Sequence, residues 1–334
     1  MDPLTQGLLG ASLPQSASKR GQLVIAGVLG LFAGMAPDLD VLIRSSSDPL
    51  LVLEYHRQFT HSLLFIPIGS LICTLVLHPL FAKRRGLTFK QSWFYCTLGY
   101  GTHALLDACT SYGTQLFWPL SNLRYAWNTV SVIDPAFTLP ILILVSFATL
   151  KRNPWYARIA FLWALVYLTL GMIQRDKAEV AGWELAQERQ HTPIRLAAKP
   201  TFANILVWKI VYETEGHYHI DAVRVGATVK SYPGESVAKL DVNRDFPWLD
   251  PKSQQAKDIE RFRWFSNGYV AQDPSDKLRI IDVRYSVVPN EVNALWSIQL
   301  SPIATAHAHA EYKTHRDNSS ESREAFLGML TDFD

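Results

Sequence analysis

The sequence predicts a membrane α-helical bundle with about five transmembrane helices, followed by a C-terminal soluble α+β domain that contains a small antiparallel sheet. Three observations predict it. Of the 334 residues, 48% are hydrophobic and 19% charged, but the halves differ: residues 1–174 are rich in Leu, Ile, Val, Phe and Ala, whereas 175–334 hold most of the acidic side chains. The first half contains apolar stretches of the length a bilayer demands, since a hydrocarbon core of about 30 Å takes roughly 20 residues of helix. The second half shows runs in which apolar and polar residues alternate, the period of a half-buried strand. Residues 1–174 are therefore expected to form a transmembrane domain and 175–334 a soluble one.

The spans fall at about 21–43, 62–82, 91–108, 132–150 and 155–174. Backbone groups in lipid must bond to one another, so each is expected as a helix. The third, QSWFYCTLGYGTHALLDA, is short and semipolar. The opening MDPLTQGLLGASLP lacks a basic segment ahead of its apolar residues, so no cleaved signal is expected and the first span starts near Gly21. Beyond the spans, 203–213, 217–229, 279–288 and 294–300 read as strands of a small sheet. Segments 175–190 and 253–266 read as helices, the former continuing the fifth span, and the tail RDNSSESREAF after residue 315 reads as loosely ordered.

Charge narrows the function classes. A net charge of +2 with dispersed basic residues gives no electrostatic footprint for nucleic acid. Cys73, Cys96 and Cys109 form no C-x-x-C pair and read as packing residues. Lys19 and Arg20 precede the first span; Lys83, Arg84, Arg85 and Lys90 separate the second from the third; Lys151, Arg152 and Arg158 separate the fourth from the fifth. The opposite loops carry only Arg44, Arg57 and Arg124. Short basic loops stay in the cytoplasm, so alternation puts the amino-terminal residues there and the soluble domain in the periplasm of a two-membrane bacterium.

On that topology the ionisable residues of the membrane half converge. Asp38 and Asp40 (APDLD) end the first span, His56 and His61 (HRQFTHS) precede the second, His103 and Asp107 (HALLD) end the third, and Asp134 opens the fourth, all facing the outer compartment. Ionisable groups at membrane depth are costly and mark function or a buried partner. His103 and Asp107, four apart, stack on one helix face and can share a cation, while Pro37 interrupts the first helix and places both aspartates on an unwound turn. Mixed imidazole and carboxylate donors suit zinc, manganese or ferrous iron better than magnesium or calcium, and zinc is the default expectation. Asp40, His56, His61, His103 and Asp107 are the expected metal ligands, and Asp38 or Asp134 the general base that takes a proton from water. Taken singly, an Asp at a span end is an interfacial residue or a helix N-cap, and a lone His a hydrogen-bonded one; the argument is their shared side. Arg124, in an outer loop, could pair with a phosphate or anchor the interface. His217, His219, His307, His309 and Glu311 read as solvated strand edges.

MDPLTQGLLGA, APDLD, HRQFTHS, HALLDACTSYGTQLFWPLS and the R-x-x-W and I-D-P steps that follow carry a resemblance. Over about residues 1–140 the chain resembles the YdjM-like family of inner-membrane-associated proteins described as metal-dependent hydrolases. The resemblance implies Asp38, Asp40, His56, His61, His103 and Asp107 as motif positions. It also implies a His after Thr5, where this chain has Gln6, a poor metal ligand. The His and Asp spacing is also similar to that of zinc phospholipases of the bacterial C type, which implies phosphoesters. The function expected is a metal-dependent hydrolase acting on a membrane lipid or lipid-like ester or phosphoester at the outer face of the inner membrane. The alternative is a non-catalytic scaffold or a metal or proton transporter; a transporter would place its ionisable groups near mid-membrane, whereas these sit near span ends.

Overall fold

The computed structural model describes residues 1–317 and 319–332. They form two compact units: Met1–Leu42, Tyr55–Met172 and Phe202–Asn204 make the first, and Ile43–Glu54, Ile173–Thr201 and the chain from Ile205 onward make the second.

The first unit opens with a helix the sequence reading did not place, α1 (Pro3–Ala17). Asp2 caps it by accepting the N–H of Thr5 at 3.0 Å, and Pro3 sits at the first position, where a missing N–H costs nothing. The second helix, α2 (Leu23–Met35), is lengthened by 3-10 turns at Arg20–Gln22 and Ala36–Leu42. The turn expected to unwind at Pro37 is thus a tightened one. The first two helices run antiparallel with their backbones in contact: a Cβ on Gly30 would lie 2.2 Å from the carbonyl oxygen of Gly10, and Gln15 packs on Gly27. Glycine makes this approach possible, the small-residue packing that membrane helices favour.

A short helix, α3 (Leu51–Tyr55), precedes α4 (Ile66–Leu77), which continues through a π turn at His78–Ala82 and a 3-10 turn at Lys83–Arg85. Gly86, with φ +75°, ends it in the left-handed region. Thr88 and Gln91 form a capping box that starts α5 (Phe89–Cys109), which meets the glycine contact through Gly99. Asp134 caps α6 (Pro135–Lys151), and α7 runs over Pro154–Glu188.

Among the described residues, three helical stretches are long and apolar enough to cross a membrane: Arg20–Leu42, Leu63–Arg85 and Pro154–Glu188. They coincide with the first, second and fifth expected spans. The third and fourth are helical as well, but α5 buries polar residues such as Ser92, Thr102, His103 and Asp107 inside the unit, and α6 has only 17 residues. At about 1.5 Å per residue the latter falls short of a hydrocarbon core of about 30 Å.

The second unit holds two antiparallel sheets. The first orders β1 (Arg195–Pro200), β2 (Val207–Glu213), β3 (His217–Val225) and β4 (Val229–Tyr232), with β5 (Ser236–Ala238) also paired to β3. The second orders β6 (Val270–Gln272), β7 (Arg279–Asp282), β8 (Trp296–Gln299) and β9 (Glu311–Thr314). Val211, Tyr218 and Ile220 of the first sheet share a core with Ala271 and Ile281 of the second. The end of α7 packs Ala178, Ala181 and Ala186 against Trp208 and Ile210. Helices α8 (Val242–Asp245) and α9 (Gln254–Phe265) lie between the sheets in sequence. The tail expected to be loose instead forms α10 (Ser320–Thr331), capped by Ser319 and anchored through Met329; Asn318 lies outside the described residues.

Candidate metal centre

Four of the expected residues come together in the first unit. Asp38, His61, His103 and Asp107 each present a donor atom, and all four atoms lie within 4.8 Å of one another. His61 Nε2 is 2.9 Å from His103 Nε2, 3.2 Å from Asp107 Oδ2 and 3.5 Å from Asp38 Oδ1. His103 Nε2 is 3.4 Å from the same Asp38 oxygen and 3.7 Å from Asp107 Oδ2. Bonds of about 2.0–2.1 Å around a tetrahedral zinc put neighbouring donors about 3.3 Å apart, so these separations fit such an ion.

The outward nitrogens of the two rings settle what the inner ones offer. His103 Nδ1 is 2.6 Å from the carbonyl oxygen of Gly34, which can only accept, so Nδ1 carries the proton and Nε2 presents a lone pair. His61 Nδ1 is 3.2 Å from Asp40 Oδ2, which likewise draws the proton outward. The two inner nitrogens face each other at 2.9 Å among carboxylates, a place for one positive charge: a proton on His61 Nε2, donated to His103, or in its stead a metal ion held by both rings. Asp107 Oδ2, buried beside them, has no hydrogen bond; Arg57 Nε is 2.9 Å away but out of alignment. Burial works against the charged form of His61, but the carboxylates of Asp107, Asp38 and Asp40 outweigh it and push the imidazolium up to about 10. The centre thus has a donor set that could hold a metal ion.

Asp40 and His56 join Asp38 in a second group with metal-ligand spacing. In it the Asp40 carboxylate is already occupied: Oδ1 meets His56 Nδ1 at 2.7 Å, and Oδ2 accepts the Arg57 N–H at 2.9 Å and the Thr60 hydroxyl at 2.8 Å. Asp40 therefore orients the His61 ring and the turn around it. Gln6 Nε2 donates to Asp107 Oδ1 at 2.8 Å, so the residue found where the motif resemblance implies a His braces a donor of the cluster. This bond also corrects the topology expected for the opening residues: α1 brings them to the end of the unit where the cluster lies, not to the opposite side.

Two expected residues are in neither group. Asp134 caps α6, accepting the N–H groups of Ala136 and Phe137, and takes the Tyr167 hydroxyl at 2.9 Å on its other oxygen. The N-cap alternative describes it, and the structure gives no support to its use as a base. Arg124 lies 5.2 Å from the centroid of the Tyr112 ring and donates to the carbonyl of Gly113 at 3.1 Å. In the second unit, His309 bonds Asp258 at 2.9 Å and is no free strand edge.

Arg57 is the residue beside the cluster that the sequence reading missed, having counted it only as a loop charge. Its φ of +64° is unusual for a side-chain-bearing residue, and it binds Asp40 through its backbone and Thr110 through Nη1 at 2.8 Å. Its position inside H-R-Q-F-T-H, between two ligand-type residues, was the available signal. The Met1 amino group also pairs with Asp107, and Tyr112 stacks 4.8 Å from the Arg57 guanidinium.

This arrangement falls within a region that matches a known family: the model described as YdjM inner membrane protein covers residues 1–178. The chain belongs to the YdjM family. It is accordingly an inner membrane protein, as the motif resemblance implied. Among curated proteins, "Inner membrane protein YbcI" of Escherichia coli (strain K12) is 33% identical over 107 residues, which cover 31% of this chain. The chain spans 60% of the length of that relative. No solved structure matches. The YdjM match includes all residues of both donor groups.

Proposed function

We propose that this protein is a membrane-bound, metal-dependent hydrolase that cleaves an ester or phosphoester of a lipid-like substrate at the periplasmic face of the inner membrane. The observation that carries the reading is the convergence of two buried imidazole nitrogens, 2.9 Å apart, with the carboxylates of Asp38 and Asp107, the latter holding an oxygen without a hydrogen bond. His61, His103 and Asp107 are fully buried and suit a three-residue metal holder, while the Asp38 side chain, 18% exposed, stands on the open side. Zinc best fits two imidazoles with carboxylates. Bound there, it supplies Lewis acidity for the ester oxygen and brings the acidity of water toward neutrality.

Asp38 takes the proton of the attacking water. The water oxygen bonds to the ester carbon or phosphorus, the bond to the leaving oxygen breaks, and the proton held by Asp38 passes to the leaving alkoxide. Asp40 keeps the His61 ring turned inward, and Gln6 and Arg57 fix Asp107. Elemental analysis of detergent-purified protein, with ester and phosphoester assays, tests the reading. Wild type should hold metal stoichiometrically, and His103→Ala and Asp107→Ala should lose both metal and turnover. Asp38→Asn should keep metal and lose at least about 100-fold in kcat, the scale of a missing general base. Equal metal in wild type and both alanine variants would refute the centre; stoichiometric metal without turnover on either panel would favour a scaffold.

A further inference from the structure

A cavity of about 680 Å³ lies in the first unit with Asp38 in its wall. That volume is within the range of about 300–1,000 Å³ typical of ligand sites. Phe32, Met35 and Leu39 line it from the second helix and its extension, and Phe65, Ile72 and Val76 from the fourth and the turn before it. Asp38 is the one charged residue among its described lining residues, and Thr60 and Tyr100 add the polar atoms near that end. The cavity thus joins an apolar trough to a member of the four-donor cluster.

Its outer rim identifies the occupant. Phe32, Leu39, Ile72 and Val76 are all exposed on the surface, and they belong to two helical stretches long and apolar enough to cross a membrane. The trough is therefore continuous with the face these helices turn to lipid, and hydrocarbon is the solvent that reaches it. From Phe65 to Val76 the helical rise of about 1.5 Å per residue gives a length of about 17 Å, close to one leaflet of a core about 30 Å thick. A chain lying in it spans a leaflet and ends at Asp38, which closes the span Arg20–Leu42.

We infer that the trough between α2 and α4 binds one acyl chain of a bilayer phospholipid and delivers the headgroup end of that lipid to Asp38. The inference rests on the hydrolase reading for its consequence, but the binding is measurable without turnover. Protein in nanodiscs of palmitoyl-oleoyl phosphatidylglycerol is released into native mass spectrometry and the retained lipid is counted. Wild type should carry one lipid. Ile72→Trp and Val76→Trp fill the trough and should cut occupancy at least about tenfold, whereas Leu75→Trp, exposed on the same helix but outside the lining, should not. Metal content and melting temperature matching wild type show that the variants are folded. Lipid kept by both filling variants, or no lipid on wild type, overturns the inference. In parallel, the filling variants should lose hydrolysis of long-chain lipid, which Leu75→Trp should keep. Lipid lost from the variants with no hydrolysis by any form leaves the trough standing and defeats the hydrolase reading alone.

Discussion

The Asp40 carboxylate separates two roles that sequence assigns to one residue. With three donors already on its oxygens besides His61, it has little to give a cation, but it holds the outward nitrogen of the His61 ring, whose inner nitrogen joins the four-donor cluster. Outer partners of this kind typically cost about 10–100-fold in metal affinity when removed. Asp40→Asn should therefore weaken binding by that factor in a chelator competition, where His103→Ala abolishes it; losses of equal size would make Asp40 a ligand. His103 and Asp107 were legible beforehand because a four-residue spacing on a helix fixes their geometry. Asp134 was not, because an N-cap and a catalytic carboxylate look alike in sequence until the N–H groups of Ala136 and Phe137 are seen to take its oxygen. Arg57 was hidden for a different reason: its contribution passes through a left-handed backbone, which no periodicity reports.

The helices long and apolar enough to cross a bilayer announced themselves, whereas α1 did not. A hydropathy reading finds a helix by its length or its one apolar face, and this one is 15 residues long and buries Thr5, Gln6, Ser12 and Gln15 along with Leu8 and Leu9. What holds it is glycine. A side chain at Gly30 would strike both the carbonyl of Gly10 and Pro14 Cγ, at 2.2 and 2.5 Å, while one at Gly21 meets nothing within 4 Å. Gly30→Ala should then lower stability by about 1–3 kcal/mol, as overpacking does, and Gly21→Ala should leave melting in detergent unchanged. Equal melting of the two variants would refute the close approach. In the second unit the same logic explains why β2 and β3 were legible by their β-branched runs, while three-residue strands such as β5 and β6 were not. Serine and charge disguised α10, which buries little beyond Met329.

For the whole molecule, the side of the membrane follows from which loops carry Lys and Arg. Lys83, Arg84 and Arg85 follow α4, and Lys151 and Arg152 separate α6 from α7, so we propose that the opposite ends, including Asp38 and Asp107, face the periplasm. The extra helix changes one part of this scheme, since Gln6 reaches Asp107 and the opening residues belong with the cluster. The last helix is long enough to cross: its 35 residues span about 52 Å, well over a hydrocarbon core of about 30 Å, and its end packs Ala178 and Ala181 against Trp208 and Ile210 of the first sheet. On that proposed orientation the far end of this helix emerges in the periplasm. A reporter active only in the periplasm should therefore be active when fused after Asp332 and silent when inserted at Gly86. Activity at both points, or at Gly86 alone, would reverse the assignment and place the cation-binding end in the cytoplasm, where a periplasmic substrate could not reach Asp38.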